Sequence, residues 1–232
     1  MLFLGLTAVV AIALGLVWRS SLESRRADVI RKYRLPPGLF AKLQQKRPEL
    51  SLKDCQLVGH ALRQFFLTYL RGRFREIAMP SQVVDDLWHE LILYTREYEL
   101  FCKHAFGRFL HHTPAAVLSS KRETNEGLRR CWWHACLEEN IDPRKPTRLP
   151  LLFALDRKLN IPDGFIYAAD CAQVDDRENY GAGSRAIHCA TDFVKVINPD
   201  GSLVGARRSR GVSQRMRCNG GLAQQCAQSR RP

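Results

Sequence analysis

No charged side chain precedes Arg19, and no acidic residue follows Asp200. The chain also lacks a Walker-type phosphate loop, a complete Gly-x-Gly-x-x-Gly, a Gly-x-Ser-x-Gly and any Cys-x-x-Cys. These absences exclude the usual signatures of P-loop nucleotide enzymes, dinucleotide-binding enzymes, α/β-hydrolases and thioredoxin-like proteins. Eight cysteines in 232 residues are too few for a disulfide scaffold. There is no internal repeat, and the composition rules out collagen-like, coiled-coil and mostly disordered chains. With 45% hydrophobic and 25% charged residues, the chain has the composition of one ordinary globular domain.

The formal charge of +13 sits at the two ends. Residues 19–49 hold nine Lys/Arg against three Asp/Glu, residues 203–232 hold seven Arg and no acid, and residues 50–202 balance. A nucleic-acid reader carries its basic stripe on the folded domain, so nucleic-acid recognition by this core is disfavoured.

Residues 1–18 are apolar except for Thr7 and carry no charge. As a helix they measure about 27 Å, near the hydrocarbon thickness of a bilayer. The absence of an early basic residue and the ending Val17-Trp18-Arg19 argue for an uncleaved transmembrane anchor rather than a signal peptide. A buried core helix is the alternative for such a run, but Trp18 followed by Arg19 fits an interfacial aromatic with a snorkelling neighbour. Arg19, Arg25, Arg26, Arg31, Lys32 and Arg34 follow the run. By the positive-inside rule they predict an N-out, single-pass topology with a cytoplasmic C-terminal domain, expected at a bacterial inner membrane. This basic juxtamembrane segment, residues 19–50, either lies on anionic lipid headgroups or is a solvated helix that only sets orientation.

The remainder reads as mainly α. A short helix is expected over residues 21–34, ended by Leu35-Pro36-Pro37-Gly38, and another around Leu39, Phe40 and Leu43. Ser51-Leu52-Lys53-Asp54 is a capping box with Asp as its fourth member, opening an amphipathic helix through Val58, Leu62, Phe65, Phe66 and Tyr69. After Pro80 and the N-cap Ser81, the helical period from Val84 through Leu87, Trp88, Leu91, Tyr98, Cys102 and Ala105 predicts one long helix to Gly107. Thr113-Pro114 opens a helical region through Leu128, Cys131, Trp132 and Ala135, and a proline-rich linker over 142–150 precedes a segment at 151–159. The expected plan is therefore a transmembrane helix (1–18), the basic segment (19–50), an α-helical bundle domain (51–170), an irregular segment (171–202) with a short strand around Phe193 to Ile197, and a disordered basic tail (203–232).

Asp85, Trp88, His89 and Tyr98 are the candidate functional residues. Asp85 and His89 stand four apart on one helical face, where a carboxylate can orient an imidazole for base or ligand work. The bland alternative is an acid favoured by the helix dipole and hydrogen-bonded to a histidine. His111 and His112 lie in the turn before Thr113, so His89, His111 and His112 are the candidate ligands of a divalent metal. A helix running on to Gly107 carries His89 about five turns away from that turn, so their approach needs a long return. His89-Glu90-Leu91-Ile92-Leu93 places Leu93 where a zincin requires its second histidine. Cys131, His134 and Cys136 have ligand chemistry, but their spacing reads first as buried thiols and aromatic packing. In a cytoplasmic domain the cysteines are expected to be mostly reduced.

The block Asp85-Asp86-Leu87-Trp88-His89, Leu93, Tyr98, Cys102, Gly107, Leu110, His111 and His112 resembles the glycine-rich-domain-containing-protein-like family, with a looser likeness at residues 152–156 and 163–165. The chain departs from that pattern at Leu91, where relatives often carry a second histidine, and it has no glycine-rich tail. The resemblance implies a mostly helical domain and no defined reaction. The expected function is a membrane-tethered binding or assembly module with a protein partner. The alternative is a metal-dependent enzyme using Asp85, His89, His111 and His112, and a third reading gives the tail an anionic-lipid or RNA ligand.

Overall fold

A computed structural model describes residues 2–112, 126–169, 187–190 and 193, with 2–6 and 8 as backbone alone. Among these residues the chain forms seven α-helices and two short strands, so the mainly α expectation holds. The expected cap at Thr113, the end of the short strand beyond Phe193 and the basic tail lie outside the described residues.

α1 (Leu2–Lys32) is one continuous helix with two characters. Up to Trp18 its described apolar side chains are exposed, and past Arg19 it turns amphipathic, burying Ala27 and Ile30 completely. Among the described residues no helix is long and apolar enough to cross a membrane. The transmembrane helix expected over 1–18 is therefore not supported among the described residues, where α1 continues without a break from the apolar run into the charged, bundle-packed half that buries Ala27 and Ile30.

α2 (Leu39–Lys46) buries Leu39 and Leu43. α3 (Leu52–Arg71) is the central helix, packed by α1, α2, α4, α6 and α7. Its start is the expected capping box: Ser51 Oγ accepts from the Asp54 amide, and the Asp54 carboxylate accepts from the Ser51 amide. Two faces of α3 are buried at once, and Phe66 meets Phe65, Trp88, Phe101 and Phe106 with ring centroids 4.9 to 6.2 Å apart.

The single long helix expected from Ser81 to Gly107 is instead two, α4 (Gln82–Ile92) and α5 (Thr95–Phe106). Tyr94 leaves helical geometry at φ −81°, ψ 61°. Its hydroxyl donates to Pro37 O at 3.2 Å, and Lys42 Nζ lies over its ring. The hydrophobic period continues across the break because both helices bury the same stripe, so periodicity alone could not show it.

α6 (Glu126–Glu138) packs along α3 and α7 (Leu151–Lys158) closes the bundle. Helix starts far apart in sequence are held by buried acids. Asp156, on α7, accepts from Ser81 Oγ (2.6 Å), the Gln82 amide (2.7 Å), the Val83 amide (3.2 Å) and the Phe165 amide (2.8 Å). At the start of α7, the Leu151 amide donates to Glu139 and the Leu152 amide to the Gln64 side chain. Gly164 lies so close to Asp156 that a Cβ there would stand 2.6 Å from the Asp156 Cβ. Beyond α7, β1 (Ile166–Ala168) pairs in parallel with β2 (Ile187–Cys189), Ile166 opposite Ile187. Phe193 is buried against Trp132, Phe153 and Tyr167.

Four cysteines, Cys55, Cys102, Cys131 and Cys136, are free and buried. Cys189 is disulfide-bonded. His134 of α6 sits beside Gly72, and its pKa falls from 6.5 to about 4, first through burial and then through Arg71 and Arg130.

Two outcomes follow. Asp156→Ala strands a hydroxyl and three amides, and lowers unfolding stability in urea by about 3 to 5 kcal/mol. As pH falls from 6.5 towards 4, the unfolded chain protonates His134 while the folded chain resists. Stability present above pH 6.5 is therefore lost through that window. His134→Phe removes this component, so urea midpoints measured at neutral pH and at the lower end of the window differ less in the variant than in the parent.

Candidate functional site

Near its start α4 carries two adjacent acids, Asp85 and Asp86, that face different ways. Asp86 is 2% exposed and pairs with Lys46 at 2.6 Å and Arg47 at 2.7 Å. Arg47 also holds Asp163 with two hydrogen bonds, which keeps the Asp163 carboxyl below its ordinary pKa. Asp86 is thus spent on joining α4 to α2 and to the loop after α7. Asp85 points instead towards the histidines.

One turn along α4, His89 Nδ1 lies 3.6 Å from Asp85 Oδ2. From the segment after α5, His112 Nε2 reaches Asp85 Oδ1 at 2.8 Å. The two imidazole rings are 4.2 Å apart between centroids. One ligand atom from each of Asp85, His89 and His112 lies within 4.8 Å of the other two. The side chains of Asp85 and His112 are 17% and 11% exposed and that of His89 is 45% exposed, so the cluster is backed by protein and open on one side.

His112 arrives because the chain turns back at Tyr94. A straight helix would move Gly107 about 27 Å from His89, whereas α5 folds back onto α4. Gly107 then ends α5 in the left-handed region at φ 71°, and residues 108–112 return along the bundle. Two candidate residues fix that return. Trp88 Nε1 donates to the Tyr98 hydroxyl at 3.1 Å, and this hydroxyl donates to Leu110 O at 2.7 Å. Trp88 also packs edge-on against the His112 ring at 4.5 Å. Tyr98 is fully buried and Trp88 nearly so, and burial drives the Tyr98 pKa far upward. Both position the neighbouring backbone, and neither presents a free polar atom to solvent.

Of the residues singled out in sequence, the structure brings Asp85, His89 and His112 together and leaves His111 outside. His111 lies against Phe109 and lines a cleft of about 250 Å³ with Phe74 and Met79. The Cys131 thiol is buried beside Thr68, and burial pushes its pKa up to about 12. Burial also raises Cys136 strongly. Both stay protonated, which agrees with the reading of buried thiols. A second cavity of about 510 Å³ lies between α1, α3 and α6, and most of its polar lining is paired: Arg31 with Glu138, Gln64 with Glu139, and Arg63 with two backbone carbonyls, while His60 also lines it. Asp156 was missed as a site-building residue. Its signal was the looser likeness at residues 152–156 and 163–165, where Gly164 is required by close approach.

The arrangement defines a helical-bundle domain carrying a cluster of two histidines and one carboxylate on one side of α4. A family model, UCP032817-like, matches residues 25–193. The chain belongs to the UCP032817-like family. This family assignment corrects the resemblance to the glycine-rich-domain-containing-protein-like family. The block behind that resemblance is short, and Trp88, Tyr98 and Gly107 within it serve packing and turn geometry. No curated protein and no solved structure matches the chain. The match begins at Arg25, close to where α1 starts to pack on the bundle at Ala27.

Tyr98→Phe leaves Trp88 Nε1–H and Leu110 O without a buried partner. The expected cost is about 2 kcal/mol of unfolding stability. In proton–nitrogen spectra, the His112 ring resonances should broaden or shift in the variant while those of His134 stay in place.

Proposed function

We propose that the protein is a membrane-tethered helical module that binds one first-row divalent metal ion through Asp85, His89 and His112. The observation that carries this reading is the convergence of three ligand atoms within 4.8 Å of one another, drawn from a helix face and a separate returning segment. Two imidazoles and a carboxylate suit zinc, manganese, iron or cobalt. Three protein ligands with an open side leave a coordination position for water or substrate, as in catalytic rather than structural sites. A metal-dependent enzyme is thereby favoured over a purely structural metal. A metal-free protein would leave the binding or assembly module as its function.

The tether rests on the uncharged residues 1–18 and on apolar side chains of α1 that the bundle does not cover, such as Ile12 (64% exposed), Leu14 (64%) and Trp18 (72%). An apolar helix end of this kind is stable when embedded in lipid. The basic residues that follow favour a cytoplasmic domain. The disulfide at Cys189 counts against that side, since disulfides persist mainly in oxidising compartments. A thiol count on protein isolated without reductant tests the side.

The metal is tested on full-length protein in detergent, stripped with chelator, reloaded with zinc or manganese and analysed by mass spectrometry. About one equivalent is expected in the parent and in His111→Ala, with affinity at least a hundredfold weaker in His89→Ala, His112→Ala and Asp85→Asn. Equal metal in parent and ligand variants, or none in the parent, overturns the site.

A further inference from the structure

The end of the bundle from which the apolar half of α1 emerges is built largely of arginine. α1 and α3 run antiparallel: Arg63 donates to Tyr33 O near one end, and Arg71 pairs with Glu23 near the other. α5 is also antiparallel to α1, with Phe101 on the Tyr33 ring and Gly107 against the Arg26 side chain. The C-terminal ends of α3 and α5 therefore lie level with residues 23–26, the part of the bundle nearest the apolar run.

Just beyond those two ends the chain places Arg73, Phe74, Arg75 and Arg108. Arg73 and Phe74 both hold positive φ, 54° and 61°, in a turn closed by hydrogen bonds from the Arg73 amide to Leu70 O and from the Phe74 amide to Tyr69 O. The guanidinium carbons of Arg26 and Arg108 stand 5.7 and 5.0 Å from the centroid of the same Phe74 ring. Arg25, Arg73, Arg75 and Arg108 are exposed. Among the described residues, none of Arg25, Arg26, Arg73, Arg75 and Arg108 has a carboxylate at ion-pair distance. At the same end, Arg71 and Arg130 are each paired, to Glu23 and Glu126. Among the described residues these five guanidinium groups face one nearby acid of the same loop, Glu76, so the end keeps a net positive charge that favours an external polyanion.

We propose that Arg25, Arg26, Arg73, Arg75 and Arg108, at the end of the bundle where Arg26 and Arg108 flank Phe74, hold the folded domain against an anionic membrane surface through lipid phosphates. This rests on the membrane tether proposed above and is independent of the metal site. Arg25 lies about 10 Å along α1 from Trp18, within the headgroup layer and one Debye length of it. Guanidinium groups bind phosphate oxygens in pairs, and each basic side chain near an anionic surface adds to retention. Three of the five arginines lie in the loops after α3 and α5, so the surface belongs to the folded domain as well as to the segment that follows the apolar run.

Full-length protein in nanodiscs of phosphatidylcholine, with or without added phosphatidylglycerol, tests this by amide hydrogen exchange. Residues 72–77 and 106–111 should exchange about tenfold more slowly in the anionic discs. High salt and the double variant Arg73→Glu/Arg75→Glu should abolish the difference, while exchange in the middle of α3 stays unchanged as the check on folding. Equal exchange of these loops in both lipids, with the protein incorporated, overturns the docking surface and leaves the tether standing. Protection by a soluble RNA but not by anionic discs overturns it too. Failure to enter discs of either composition removes the tether and the docking surface together.

Discussion

The carboxylate of Asp156 is the point on which the arrangement of α4 depends. It takes the place that solvent or a side chain of the same helix would fill at an exposed N-terminus, accepting from two free amides of the first turn and from the N-cap hydroxyl. Because its donors come from α4 and from Phe165, this single anion sets the angle of α4 relative to α7 and the loop that follows. Asp86 fixes the rotation of the same helix by pairing with Lys46 and Arg47. With both the start and the rotation of α4 determined, Asp85 and His89 face the returning segment.

The second constraint is the break at Tyr94. Its energetic support is modest, one hydroxyl bond to Pro37 O and a cation over the ring. Its geometric effect is large, because it converts a rod into a hairpin and brings residues 108–112 back to α4. Trp88 and Tyr98 then register that return through a two-bond chain ending on Leu110 O. Buried polar chains of this kind specify one arrangement because the alternatives leave a donor or acceptor unmet.

Much of the helical plan could be read from local chemistry. The Ser51–Asp54 box, the Ser81 cap and the glycine at 107 mark helix ends through interactions made within a few residues. What could not be read depended on distant partners. The Tyr94 break leaves the 3.6-residue period intact, and Asp156 looks like one more acid in a short amphipathic segment until Ser81 is seen beside it. The strands Ile166–Ala168 and Ile187–Cys189 are too short to give an alternating pattern. At the site, Asp85 and His89 were legible as an i, i+4 pair, but the choice between His111 and His112 was decided by the path of the backbone after Gly107.

The 75-residue separation between Ser81 and Asp156 also has a consequence for biosynthesis. On the ribosome, residues 85 to 112 leave the exit tunnel well before α7 does, at a time when the first turn of α4 has no anion to hold it. At ordinary elongation rates the interval is roughly a few seconds. During that interval the contacts of Trp88 with Tyr98 and of Asp86 with Lys46 and Arg47 can form, but the start of α4 lacks its anchor until the last described helix has docked. The final geometry of the ligand set thus draws on a contact that the chain can make only after most of the bundle has been synthesised.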